Sequence, residues 1–148
     1  MAWPVRSREP CSLFKYLHNH NTGNMKILVV DDEKDVQILF EQRFRKEIKS
    51  SEMQFVFAFS GEEALEYLNG HEHEAVLILS DINMPGMSGL ELLGHIKQKY
   101  MKPPPMVMMI TAYGDAENFN TAKQLGADDF LTKPVDFNLL KEKLKLIH

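Results

Sequence analysis

Along this chain, apolar runs of about five residues alternate with longer segments in which apolar side chains recur every three or four positions. Short continuous runs suit buried strands and the longer spacing suits amphipathic helices, so the alternation predicts repeated strand-helix units in a parallel sheet. Residues 26–30 form the first predicted strand, and Val36, Leu39, Phe40, Phe44 and Ile48 then mark one apolar stripe on a helix over about 35–49. A second strand is expected at 54–59, a turn at Ser60 and Gly61, and a second helix at 62–68, stopped by Asn69 and Gly70. The third strand spans 75–80. Leu90, Leu93, Ile96 and Tyr100 mark a third helix, which the prolines at 103–105 prevent from continuing.

The fourth strand, 106–110, carries three methionines where β-branched residues are more usual. A fourth helix over 115–125 is closed by Gly126, a short fifth strand surrounds Phe130 and Leu131, and a last helix begins near 136 with Phe137, Leu140 and Leu144 facing inward. Five such units match the flavodoxin-like α/β arrangement, a doubly wound five-stranded parallel sheet of order 2-1-3-4-5 with five helices.

Four of the apolar runs end in polar groups: Asp31 and Asp32, Asp81, Thr111, and Lys133. In an open parallel sheet the carboxyl edge is where ligands bind, and strands 1 and 3 are neighbours in this order, so Asp31, Asp32 and Asp81 should share one pocket. Three close carboxylates repel one another, and a cation, a shared proton or a nearby lysine relieves them. All-oxygen ligation favours a hard ion, and Mg²⁺ suits a partly open carboxylate cluster. A carboxylate can also attack phosphorus and form an acyl phosphate.

Taken in order, the Asp31-Asp32 pair, Asp81 followed by Asn83, Met84, Pro85, Gly86 and Gly89, the Thr111-Ala112 pair and the Lys133-Pro134 pair resemble the receiver domain of two-component response regulators. The resemblance runs from Met25 to about residue 147. It implies that Asp81 accepts a phosphoryl group from a sensor histidine kinase or phosphotransfer protein. It also implies Mg²⁺, which Mn²⁺ can replace, bound directly by Asp32, Asp81 and the backbone carbonyl of Asn83 and through water by Asp31. Thr111 and Lys133 are then expected to bind the phosphoryl oxygens, and the small Ala112 to leave room for the donor. Phe130, where the family often has Tyr, would be the switch aromatic, and Asn83 and Tyr113 would tune hydrolysis. The implied output face is the fourth helix, fifth strand and fifth helix, acting on an effector protein or on a C-terminal output domain outside this chain, with a phosphorylation-dependent homodimer left open.

Each group alone has an ordinary reading: Asp31 to Glu33 as charges at a helix start, Asp81 as a cap, Thr111 as a strand-end hydroxyl, Lys133 as a surface charge and Phe130 as core. Their joint placement at four strand ends is what favours the receiver. A Mg²⁺-dependent phosphohydrolase of the haloacid dehalogenase type would instead end its first strand in D-x-D-x-[TV], whereas Asp31, Asp32, Glu33, Lys34 and Asp35 stand there. A receiver working as an interaction module without phosphorylation is disfavoured by the intact Asp81, Thr111 and Lys133 set. The expected role is therefore a signalling switch that assists its own phosphoryl transfer, not a dedicated enzyme.

A chain of 148 residues, 44% of them apolar, fits one packed domain at 25–148, preceded by a flexible extension at 1–24 that is native, the product of an upstream start codon, or non-native. The extension takes Arg6, Arg8 and Lys15 against Glu9 from totals of 17 basic and 21 acidic residues, which leaves 14 and 20, a net charge of −6, from Met25 onward. Such a body should not bind nucleic acid by charge alone. The single Cys11 excludes a disulfide framework and suits a reducing cytoplasm. No apolar stretch approaches the roughly 20 residues needed to span a bilayer. The pairs His18 with His20 and His71 with His73 lack the remaining ligands of a zinc site.

Overall fold

The computed structural model describes residues 25–71, 77–99, 105–112 and 114–147. The expected extension at 1–24, the start of the third predicted strand at 75–76, the residues around the proline run at 100–104, and Tyr113 lie outside them. The described chain runs β1 (Met25–Val30), α1 (Asp35–Arg43), α2 (Arg45–Lys49), β2 (Met53–Ala58), α3 (Gly61–Gly70), β3 (Leu77–Asp81), α4 (Gly89–Lys99), β4 (Met106–Thr111), α5 (Ala116–Gln124), β5 (Asp129–Thr132) and α6 (Phe137–Ile147). All strand pairs are parallel, in the order β2-β1-β3-β4-β5. This is the flavodoxin-like order expected from the sequence.

Strand periodicity divides the core cleanly, because successive side chains point to opposite faces. Ile27, Val29, Leu77, Leu79, Met108, Ile110 and Leu131 face one layer, where Phe40, Phe44, Phe137, Leu140 and Leu144 cover them. Leu28, Val30, Ile78, Val107 and Met109 face the other, beneath Ala64, Leu68, Leu92, Leu93, Ile96 and Ala122. Both faces of the central strands are therefore apolar, which is why these strands read as continuous hydrophobic runs. The methionines of β4 fit this setting, since Met108 and Met109 are essentially inaccessible and unbranched side chains fill irregular gaps.

The first helix departs from expectation. It breaks at Phe44 (φ −110°, ψ 21°), giving the two pieces α1 and α2 where one helix was predicted. Phe44 is fully buried, with its ring 4.9 Å from that of Phe55 and 5.9 Å from that of Phe40. Phe40 also meets Phe57 and Phe137 edge-on, so five rings form one aromatic cluster under the edge strand β2. Leu39, expected in the core stripe, is 41% exposed and lines a cleft of about 720 Å³ between α1 and the start of α6.

The end of α3 also differs from its prediction, because the helix runs through Gly70 and is capped by His71. The His71 N–H donates to the Leu68 carbonyl, and its ring stacks on Tyr67 at 4.2 Å. At the other end of α3, Ser60 Oγ accepts from Glu63 N while Glu63 Oε1 accepts from Phe59 N, a reciprocal cap that starts the helix. Gly126, with φ +102°, closes α5 as expected. No helix among the described residues is long and apolar enough to cross a membrane.

Candidate functional site

Strand register assembles the site. Val30 pairs with Ser80, so Asp31, one residue beyond β1, emerges beside Asp81, the last residue of β3. Asp81 pairs with Ile110, and Thr111 pairs with Thr132, which sets Lys133 just past the end of β5. The Lys133 N–H donates to the Thr111 carbonyl at 2.8 Å and fixes the backbone from which the ammonium reaches back. Lys133 Nζ lies 3.0 Å from Asp81 Oδ1.

Asp31, Asp81 and Thr111 are buried, whereas Asp32, Asn83 and Ala112 are exposed. One carboxylate oxygen from each of Asp31, Asp32 and Asp81 lies within 4.8 Å of the other two. Asp31 Oδ1 accepts from Glu33 N at 2.9 Å, which fixes its carboxyl at the turn into α1. Burial pushes the Asp31 carboxyl above the ordinary aspartate range, and the charge of Asp81 adds to that push against the opposing Glu33 hydrogen bond. Burial pulls the Lys133 ammonium down, but the hydrogen bond and charge of Asp81, with Asp31 and Glu33 behind it, hold it above the usual lysine value. Three acids thus crowd one pocket, and one of them resists ionisation. The donor set is all oxygen and partly open, which fits a hard divalent cation.

The loop after Asp81 is held from two sides. Gly89 opens α4 so close to β3 that a Cβ there would stand 2.0 Å from the Asp81 carbonyl oxygen, and its N–H donates to the Ile82 carbonyl at 2.7 Å. Met87 packs over Gly61, and its N–H donates to Glu62 Oε2 at 3.2 Å. Neither the Glu62 contact nor the need for Gly89 was found from sequence. The glycine stood in the quoted motif, but only the approach of two backbones explains it.

Phe130 is half-buried on β5 and joins the core layer beneath α5. Its ring meets that of Phe119 of α5 at a tilt, with centroids 4.3 Å apart, a partner that sequence reasoning did not identify. The described structure therefore brings together Asp31, Asp32, Asp81 and Lys133, with Thr111 at the adjacent strand end, and sets Phe130 on the same sheet.

A parallel 2-1-3-4-5 sheet with an acidic pocket at its carboxyl edge and Lys133 on the β3 acid Asp81 is the arrangement of a receiver-type α/β domain. The response regulator receiver domain model matches residues 27–145, and the chain belongs to that family. It is 38% identical over 123 residues to the response regulator protein PilR of Pseudomonas aeruginosa, covering 81% of this chain and 25% of that protein. It is 33% identical to sporulation initiation phosphotransferase F of Bacillus subtilis, over 82% of this chain and 92% of that one. The crystal structure of a response regulator receiver domain protein from Clostridium thermocellum superposes with a TM-score of 0.73 at 26% identity, covering 83% of this chain and 93% of that chain. The chain thus spans about a quarter of PilR and nearly all of the sporulation protein. Receiver domains are signalling switches that interact with histidine kinases or phosphotransfer proteins and with output domains, and they bind Mg²⁺ at an acidic pocket.

Proposed function

We propose that this receiver is switched by phosphorylation of Asp81. The observation that carries the reading is the Lys133 ammonium at 3.0 Å from Asp81 Oδ1, inside a pocket that also gathers Asp31 and Asp32. An Asp81 oxygen attacks phosphorus in line, forming an O–P bond as the P–N bond to a donor imidazole breaks and the electron pair leaves on that nitrogen. With acetyl phosphate the breaking bond is P–O and acetate departs.

Asp32, Asp81 and the Asn83 carbonyl would hold the divalent cation, with Asp31 acting through water. When bound, the cation supplies charge neutralisation for the phosphoryl oxygens. Lys133 provides the second positive charge from the protein itself, and it is already in place before transfer. Thr111 donates its hydroxyl to the phosphoryl group, and exposed Ala112 leaves the approach open. Asn83 and Tyr113 govern the water that later hydrolyses the acyl phosphate.

Movement of the Thr111 hydroxyl vacates space along the sheet, which the Phe130 ring then fills. The face of α5, β5 and α6 changes shape and is read by a partner or output domain. Intact mass after incubation with acetyl phosphate and Mg²⁺ tests the chemistry. The chain should gain about 80 Da, one phosphoryl group, and Asp81→Asn should gain nothing. An adduct that persists in Asp81→Asn refutes the assignment, and steady turnover of free phosphate esters points instead to a phosphohydrolase.

A further inference from the structure

The Phe119–Phe130 ring pair joins α5 to β5, two of the elements whose face the proposed switch changes. Met109 pairs with Phe130, and Thr111 lies two residues beyond Met109 on β4. By strand alternation Met109, Thr111 and Phe130 share one sheet face, the face that α5 covers. Travel of the Phe130 ring toward Thr111 therefore runs along the sheet beneath α5. At the start of that path the ring rests on Phe119, with centroids 4.3 Å apart and planes tilted by 40°. Lys123, one turn further along α5, sits 5.8 Å from the other ring of the pair, that of Phe119. The backbone beneath Phe130 is held as well, since Phe130 N donates to Asp129 Oδ1 and Lys143 of α6 pairs with the same carboxylate. The ring, half-buried against the core layer and paired with Phe119, is the part that can turn on this fixed backbone.

Resting on the reading that Phe130 is the moving aromatic, we infer that Phe119 is a positioning residue: a latch that holds the Phe130 ring in the unphosphorylated arrangement and sets how readily the receiver switches. Phe130 has no hydroxyl with which to anchor itself in either position, so ring contacts govern its balance. An aromatic pair at this separation favours the paired arrangement by roughly two- to tenfold. Phe119 is 36% exposed and lies outside the buried core, and its ring pairs with that of Phe130, the residue that must leave. A phosphodonor reacts best with molecules in which the Thr111 hydroxyl is free to engage the phosphoryl group, and releasing Phe130 enlarges that fraction.

The test is the initial rate of Asp81 phosphorylation by acetyl phosphate with Mg²⁺, in the full chain and in Phe119→Ala, Phe119→Tyr, Phe130→Ala and the Phe119→Ala/Phe130→Ala double variant. Phe119→Ala should react about two- to tenfold faster than the parent, Phe119→Tyr should match the parent because it keeps the ring, and Phe119→Ala should add nothing once Phe130 is gone. Circular dichroism checks that each variant is folded, and Phe119→Leu replaces Phe119→Ala if the latter is not. An unchanged or slower rate in Phe119→Ala, or an equal acceleration in the Phe130→Ala background, overturns the latch while leaving the aspartyl-phosphate chemistry intact. A parent that forms no adduct overturns that chemistry, and the latch with it.

Discussion

Gly89 and Gly94 lie five residues apart in α4, yet replacing each by alanine should move stability in opposite directions. A Cβ on Gly89 would stand 2.0 Å from the Asp81 carbonyl oxygen, 2.8 Å from Ile82 Cα and 2.9 Å from the Asp81 carbonyl carbon. Ordinary contacts between such atoms are about 3.5 Å, so the start of α4 and the end of β3 must separate by on the order of 1 Å. All three obstacles are backbone, and no rotamer change relieves them. Overpacking of this kind costs about 1–3 kcal/mol, and lengthening the Gly89 to Ile82 hydrogen bond adds about 1 kcal/mol. At Gly94 a Cβ meets nothing within 4 Å, so alanine there should gain about 0.4–1 kcal/mol through the unfolded chain and helix propensity. Urea denaturation reads both effects. With a slope of about 1–3 kcal/mol per molar, Gly89→Ala should lower the midpoint by about 1–2 M and Gly94→Ala should raise it slightly. The displaced carbonyl belongs to Asp81 itself, so Gly89→Ala should also form less aspartyl phosphate. A Gly89→Ala midpoint equal to the parent's, or a Gly94→Ala loss of similar size, refutes the argument.

Asp31 supplies the pH-dependent prediction. Its carboxyl is raised in the fold, so the folded chain binds that proton more tightly than the unfolded chain, and the associated stability is lost as pH rises through the folded value. In EDTA at neutral pH, Asp31→Asn should therefore melt higher than the parent. Mg²⁺ at a hundred times its dissociation constant should stabilise the parent by about 2.7 kcal/mol, and Asp31→Asn should lose part of that increment; equal increments in thermal melts would count against the acid cluster as the binding site. Phe40 touches four other rings and is 1% exposed, so Phe40→Ala should cost about 3–5 kcal/mol by chemical denaturation, and a cost below 1 kcal/mol would show that the cluster collapses to fill the cavity.

The strand order and the converging groups were legible because each rests on a local signal. Residues 27–30 and 106–110 are apolar on both faces, and each run ends in a polar residue whose position the register then fixes. What escaped depends on contacts between distant segments. The apolar spacing over 35–49 continues straight through Phe44, and only the burial of its ring against Phe55 marks the break. Leu39 fits the helical stripe, but it lies where α1 overhangs the cleft beside Pro134 and Val135. Gly70 looked like a stop, yet His71 supplies the cap one residue later. Glu62 with Met87, and Lys97 with Asp128, are partners separated by 25 and 31 residues, beyond the reach of any periodicity. Phe130 was found through its distance from Lys133, whereas Phe119 has no spacing rule that ties it to either.

The proposed chemistry and the proposed response occupy parts of the sheet with different freedom. Asp81 and Thr111 close β3 and β4, two of the three interior strands, each hydrogen-bonded on both sides, and Gly89 presses α4 against the Asp81 carbonyl. The backbone at these positions cannot shift without disturbing a close-packed core, so the Asp81 carboxylate is held in place and Thr111 has only its hydroxyl to turn. Phe130 lies on β5, which pairs with β4 alone and is the opposite edge of the sheet from β2. Its ring is half-buried against the core layer beneath α5 and meets the partly exposed Phe119 ring on its outer side, so it can shift without moving the strand that carries it. A new phosphoryl charge drawing on Lys133 and Thr111 would therefore leave the strand ends where they are and express itself at the edge, through the Phe130 side chain.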